Sequence, residues 1–126
     1  MKVSRLDHLV LTVKDINSTI DFYRNVLGME KVEFAEGRVA LAFGNQKINL
    51  HESGEEFEPK AGYVQPGSAD LCFIVETPII DLVVHLQEHK VSIVEGPVER
   101  TGAMGKINSV YIRDPDANLI EVSNYL

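Results

Sequence analysis

The Leu- and Val-rich segment 4–13 (SRLDHLVLTV) predicts a β-strand, with Leu9, Leu11 and Val13 on one face and Leu6, His8, Val10 and Thr12 on the other. The period then changes. At 100° per residue Ile16, Ile20, Tyr23 and Leu27 fall within an arc of about 60°, one face of a helix. Asp15 suits its N-cap, because a carboxylate accepts from the free amides of the first turn, and Gly28 suits its end. Three short strands follow at 30–34, 38–43 and 46–52, with Glu36-Gly37 and Gly44-Asn45 at the turns between them. Residues 53–67 (SGEEFEPKAGYVQPG) hold three Gly and two Pro without periodicity and read as one long loop.

The order β-α-β-β-β then recurs. Residues 69–76 (ADLCFIVE) echo 7–14 (DHLVLTVK), an offset of 69 − 7 = 62. Thr77 as N-cap and Pro78 at the first helical position, where a missing N–H costs nothing, open a helix carrying Ile79, Leu82, Val83 and Leu86 on one face. Strands are expected at 91–94, 106–113 and 117–123. INLHE (48–52) echoes LIEVS (119–123) at an offset of about 70, which places an insertion in a Gly- and Pro-bearing loop near Glu95–Gly105. The expected fold is therefore α+β, one domain over 1–126 built of two βαβββ modules, about 4–52 and about 69–125, enclosing a cup.

Composition narrows the function. Apolar residues make up 44% and charged residues 25% of the 126, the values of a globular protein rather than a disordered one. The net charge of −7 argues against nucleic-acid or anionic-membrane binding. No apolar run approaches the roughly 18 residues of a membrane span, and no secretory signal is visible, so a cytoplasmic protein is expected. The single cysteine, Cys72, excludes an internal disulfide, and its strand pattern suggests a packed thiol.

Helices should cover the wholly apolar strand faces. The opposite, mixed faces contain His8, His51, Asp70 and Glu121. Each module contributes one of these from its first strand and one from its last, His8 aligning with Asp70 and His51 with Glu121. Two imidazoles and two carboxylates in a semi-enclosed cup suit a divalent first-row metal ion: Fe2+, Mn2+, Ni2+, Co2+ or Zn2+. Taken singly, each has an ordinary alternative as a satisfied polar residue, an edge charge or a turn cap. His85 and His89 form a further pair at helical spacing, but no third ligand is evident and a solvated face is the simpler reading. Arg100 suits a substrate carboxylate or phosphonate or, equally, a surface ion pair. Tyr111, Phe43 and Asn49 line the cup by parity, with aromatic core packing the simpler reading for the first two, and Phe57 and Tyr63 lie in the long loop, a candidate lid.

YIRDPDANLIEVSNY (111–125) closely resembles a signature of the vicinal oxygen chelate superfamily, which includes glyoxalase I, fosfomycin- and bleomycin-resistance proteins and extradiol dioxygenases. RLDHLVLTVKDINSTIDFYRNVLGME (5–30) resembles its opening module. KINLHE (47–52), GPVERTGAMG (96–105) and IEVSNY (120–125) resemble a narrower subgroup of short glyoxalase-domain-containing or biphenyl-diol-dioxygenase-related proteins.

The resemblance implies a metal with open coordination positions that two neighbouring substrate oxygens occupy. Its first-strand ligand position falls on His8 and its last-strand glutamate on Glu121, with His51 closing the first module and Asp70 opening the second. Bacterial-type glyoxalase I offers His, Glu, His, Glu in chain order, whereas this chain offers His, His, Asp, Glu. Asp70 then has three open roles: fourth ligand, partner orienting an imidazole, or general base. The implied function is a metal-dependent enzyme, a glyoxalase-like lyase or isomerase first and an extradiol dioxygenase second, with Glu121 and Asp70 as the catalytic carboxylates. The alternative is a non-catalytic binding or resistance protein that sequesters a small molecule. A homodimer is also implied, with His8 and His51 from one chain meeting Asp70 and Glu121 of the other; the alternative is a single chain that closes its own barrel.

Overall fold

A computed structural model describes all residues, 1–126. The chain forms two compact units, Met1–Pro66 and Gly67–Leu126. In unit 1 the elements are β1 (His8–Val13), α1 (Ile16–Asn25), β2 (Glu30–Phe34), β3 (Arg38–Phe43) and β4 (Gln46–Glu52). They build one sheet in the order β1-β4-β3-β2, with β1 parallel to β4 and the other pairs antiparallel. Unit 2 repeats the plan with β5 (Asp70–Ile74), α2 (Ile79–Glu88), β6 (Glu95–Gly102), β7 (Gly105–Arg113) and β8 (Leu119–Tyr125), in the order β5-β8-β7-β6. This is a mixed α+β architecture of two βαβββ units.

Asp15 caps α1, its extended backbone (φ −140°) letting its carboxylate accept from the Ser18 N–H at 3.0 Å. In unit 1 the buried side chains Ile20 and Tyr23 of α1 accompany Leu11, Val13, Leu41, Ile48 and Leu50 of the sheet. Fully burying one such aliphatic side chain contributes about 2 kcal/mol. In unit 2 Leu82 and Leu86 of α2 are buried, as are Val110, Ile112, Ile120 and Val122. Neither helix is long and apolar enough to cross a membrane.

Three expectations change. Residues 4–7 are exposed coil, so β1 begins only at His8. The α2 N-cap is Pro78, not Thr77: Pro78 is extended (ψ 143°), and its carbonyl accepts from Asp81 and Leu82 N–H at 2.9 Å. The expected strand at 91–94 is absent, and the segment expected as a loop near Glu95–Gly105 supplies β6. Its Gly96-Pro97 pair resembles a breaker but sits at a bulge on an edge strand, where no second neighbour needs the missing N–H. Gly96 also permits the close approach, since a Cβ there would lie 2.3 Å from the Ser109 carbonyl oxygen.

Candidate functional site

Each sheet has an apolar face and a mixed face. In unit 1 the mixed face carries His8, Val10 and Thr12 of β1 beside Lys47, Asn49 and His51 of β4, paired in that order. In unit 2 it carries Asp70, Cys72 and Ile74 beside Leu119, Glu121 and Ser123. These registers correct the alignment of the repeat. His8 pairs with Lys47 and Asp70 with Leu119, so the first strands are offset by 70 − 8 = 62 and the last strands by 119 − 47 = 72. The counterpart of Glu121 is therefore Asn49, and His51 corresponds to Ser123. The additional residues lie partly in the turn joining β7 to β8, which is longer than the Gly44-Asn45 turn.

The imidazole of His8 is half-exposed, and its Nδ1 lies 2.8 Å from a carboxylate oxygen of Asp7. That bond fixes the ring and leaves Nε2 for a second partner, the way a metal-bound imidazole is commonly oriented. The contact also lowers the Asp7 pKa. His51 is different. It stands opposite Thr12, four residues along the strand from His8, roughly 13 Å at the rise of a β-strand. Strand side chains project in parallel, so unit 1 does not bring these two imidazoles to one point.

His51 is 6% exposed and its Nδ1 has no hydrogen-bond partner. Burial holds its pKa below the usual imidazole value, and the Arg38 charge adds to the effect. Its ring meets Phe57 edge-on at 5.5 Å, and the Arg38 guanidinium lies 4.4 Å over the other ring. The neighbouring Asn49 Oδ1 is also buried without a partner.

In unit 2, Cys72 stands directly opposite Glu121, while Asp70 lies two residues from that pair at a diagonal of roughly 7–8 Å. The Ser109 hydroxyl donates to Glu121 Oε2 at 2.5 Å and lies 2.7 Å from the Ser123 hydroxyl. Tyr111, paired with Glu121 on β7, turns its hydroxyl to the same carboxylate and accepts from Arg100 Nε at 3.1 Å. Arg100 also pairs with Glu95 at 3.0 Å, the surface ion pair that was one of its two readings. Cys72 is exposed, not packed, because it belongs to the mixed face. Desolvation by the surrounding side chains nonetheless raises its pKa, with the charges of Glu121 and Asp70 adding to that, and the Ser123 hydroxyl at 3.5 Å opposes it.

The D-P-D-A-N run has a structural task. The buried Asp114 carboxylate accepts from Asp116 N–H and Asn118 N–H, each at 2.9 Å, and from Asn118 Nδ2 at 2.8 Å. Asn118 Oδ1 in turn accepts from Ala69 N–H at 2.8 Å, and Leu119 N–H donates to the Ala69 carbonyl at 3.1 Å. The turn thereby sets Asp70 and Glu121, one residue beyond Ala69 and three beyond Asn118, in register.

Among the remaining candidates, Phe43 is corrected. It pairs with Gln46, which shares the face of Ile48 and Leu50, so it lies on the apolar face and not with Asn49. Tyr63 of the candidate lid is fully exposed, whereas Phe57 packs on His51. The His85 and His89 rings lie 4.3 Å apart, tilted by 42°, with His89 Nδ1 bonded to the His85 carbonyl. Ser109 escaped the sequence reading, although its parity with Tyr111 along β7 gives it away. Arg38 and Lys60 escaped it too: the β3–β4 register brings Arg38 to His51, and only the folded loop brings Lys60 there.

Within neither unit do three His, Cys, Asp or Glu side chains gather as a metal ion needs. Singly, His8, Asp70 and Glu121 fit as donors: an imidazole oriented by a carboxylate, an exposed carboxylate, and a carboxylate positioned by hydroxyls. His51 does not join His8.

Two βαβββ units in one chain are the plan of the vicinal oxygen chelate superfamily. The profile of the Glyoxalase/Bleomycin resistance protein/Dioxygenase superfamily matches residues 5–122, and the chain belongs to that superfamily. It is 62% identical over 126 residues to virulence protein STM3117 of Salmonella typhimurium strain LT2, spanning 100% of this chain and 88% of that protein. The crystal structure of that protein superposes with a TM-score of 0.99 over 100% of both chains. The chain is 60% identical over 125 residues to glyoxalase domain-containing protein RDO1 of Mycosarcoma maydis, spanning 99% of this chain and 70% of that one. In fold alone it is similar to the fosfomycin resistance protein FosX of Listeria monocytogenes, crystallised with Mn(II) and sulfate (21% identity, TM-score 0.68, 99% and 93% of the two chains).

Proposed function

We propose that the chain is a divalent-metal-dependent enzyme acting on a small substrate with vicinal oxygens, by glyoxalase-like lyase or isomerase chemistry. The observation that carries this reading is the setting of Glu121, a carboxylate on an open strand face held by the Ser109 and Tyr111 hydroxyls. Its partners are hydroxyls, which fix its orientation and leave its charge uncompensated.

The proposed donors are His8, Asp70 and Glu121, with the homodimer implied by the family bringing faces of two chains to one ion. A divalent ion there would supply Lewis-acid stabilisation of negative charge on adjacent substrate oxygens. The chain's own residues do the rest. Asp7 keeps the His8 ring in one orientation. Asp70, exposed and untouched by the hydroxyls that hold Glu121, is the third donor. Arg100, through Tyr111, positions the Glu121 carboxylate. The Mn(II) in FosX supports the metal class but not the identity of the ion.

Elemental analysis of gently purified protein tests the donor set. His8→Ala and Glu121→Gln are expected to lose bound metal while remaining folded, and His51→Ala to retain it. Full metal content in Glu121→Gln overturns the reading.

A further inference from the structure

The last turn of α2 carries two imidazoles outside the site described above. His85 lies within the helix and His89 is its C-cap, one turn apart and therefore on one face. His85 is half-buried and His89 exposed, so the pair is open to ions from solvent.

His89 Nδ1 donates to the His85 carbonyl at 2.9 Å. A carbonyl oxygen only accepts, so the proton sits on Nδ1 and the neutral ring keeps its lone pair on Nε2. A carbonyl that holds the other nitrogen is the usual way in which an imidazole is oriented toward a metal ion. The two ring centres lie 4.3 Å apart, with the planes tilted by 42°. That separation selects a coordination geometry. With metal–nitrogen bonds of about 2.0 Å and a ring centre roughly 1.1 Å beyond each nitrogen, two imidazoles at a right angle on one ion have centres about 4.4 Å apart, whereas the tetrahedral angle sets them about 5.1 Å apart. The pair matches the right-angled sites of Ni2+ and Cu2+ rather than the tetrahedral sites of Zn2+. The helix end acts in the same direction, because the carbonyls of a last turn carry partial negative charge and favour a cation beside them. No third His, Cys, Asp or Glu side chain joins the pair. Water completes the coordination, and the ion exchanges with solvent instead of being held permanently.

We propose that His85 and His89 chelate an exchangeable tetragonal first-row cation, Ni2+ or Cu2+, at the C-terminal end of α2. The site is separate from the donors His8, Asp70 and Glu121, and it needs nothing from the functional reading above.

Nuclear magnetic resonance of the full chain with Ni2+ as the probe tests the proposal. A paramagnetic ion broadens the signals of the imidazoles that bind it, and the chain has only four histidines to assign. The His85 and His89 signals are expected to broaden together, at the same Ni2+ concentration, and equally in Glu121→Gln. A chelate loses the benefit of its second arm when either ring is removed. His85→Gln is therefore expected to raise the Ni2+ needed to broaden His89 by about tenfold or more, and His89→Gln to do the same for His85. Diamagnetic Zn2+ is expected to restore the signals only in excess over Ni2+. Circular dichroism confirms that each variant is folded. Broadening of the two rings at different concentrations, a single variant whose remaining ring titrates like the wild type, or restoration by equimolar Zn2+ overturns the proposal. Loss of the response in Glu121→Gln assigns the ion to the other site and overturns it as well. Each of those results is read at His85 and His89 and leaves the metal content of Glu121→Gln to decide the other reading.

Discussion

Truncating Asn118 to alanine tests whether the D-P-D-A-N turn clamps the strands that carry Asp70 and Glu121. Asn118 is 1% exposed and makes two side-chain hydrogen bonds of 2.8 Å, one from Ala69 N–H and one to the Asp114 carboxylate. A neutral bond of this kind contributes about 1 kcal/mol and one to a charged acceptor about 2 kcal/mol; truncation leaves Ala69 N–H without its partner and takes one donor from the Asp114 carboxylate, which keeps its two backbone donors. The expected loss is therefore about 3 kcal/mol. Urea unfolding followed by far-UV circular dichroism measures it: with a slope of about 1.5 kcal/mol per molar, the midpoint falls by about 2 M. Gln87→Ala, on the exposed side of α2, serves as the control and shifts stability by less than about 0.5 kcal/mol. A midpoint change for Asn118→Ala no larger than that of the control would refute the clamp.

Two further outcomes follow from local electrostatics. His51 has a pKa lowered by burial and by Arg38, so the unfolded chain takes up its proton first as pH falls. The stability this contributes is present above the ordinary imidazole pKa of about 6.5 and is lost as pH drops through the folded value; the wild-type urea midpoint should fall more steeply below neutrality than that of His51→Gln, and parallel profiles would contradict it. The Cys72 thiol, though exposed, is pushed up by desolvation, so its rate of reaction with a disulfide reagent should inflect at a higher pH than free cysteine. An inflection at or below the free-cysteine value removes that account.

Much of the fold was legible because local signals agreed with it. The Asp15 cap, the helical arc of Ile16, Ile20 and Tyr23, and the turns at Gly37 and Gly44 place α1 through β4 within a residue or two. The signal failed at β6, where Gly96-Pro97 has the chemistry of a loop and only pairing with β7 makes a strand of it. The mixed faces were legible by parity, which singles out His8, Asp70, Glu121 and Tyr111. Parity does not fix register between strands distant in sequence. That is why His51 read as the counterpart of Glu121, a place the pairing gives to Asn49, and why Phe43 was assigned to the wrong face. Cys72 misled for a related reason: its neighbours Leu71 and Phe73 are apolar, but they point the other way.

In both units the strand made last is inserted next to the strand made first: β4 lies between β1 and β3, and β8 between β5 and β7. Neither sheet can be completed from a growing chain until its final strand has been synthesised, because the parallel partner waits through the intervening residues 14–45 in unit 1 and 75–118 in unit 2. Unit 1 has all its strands once Glu52 is in place and is free to settle while the remainder is still being translated. In unit 2 the strand added last, β8, is likewise interior, so losing Leu119–Tyr125 takes away the centre of the sheet rather than its fringe.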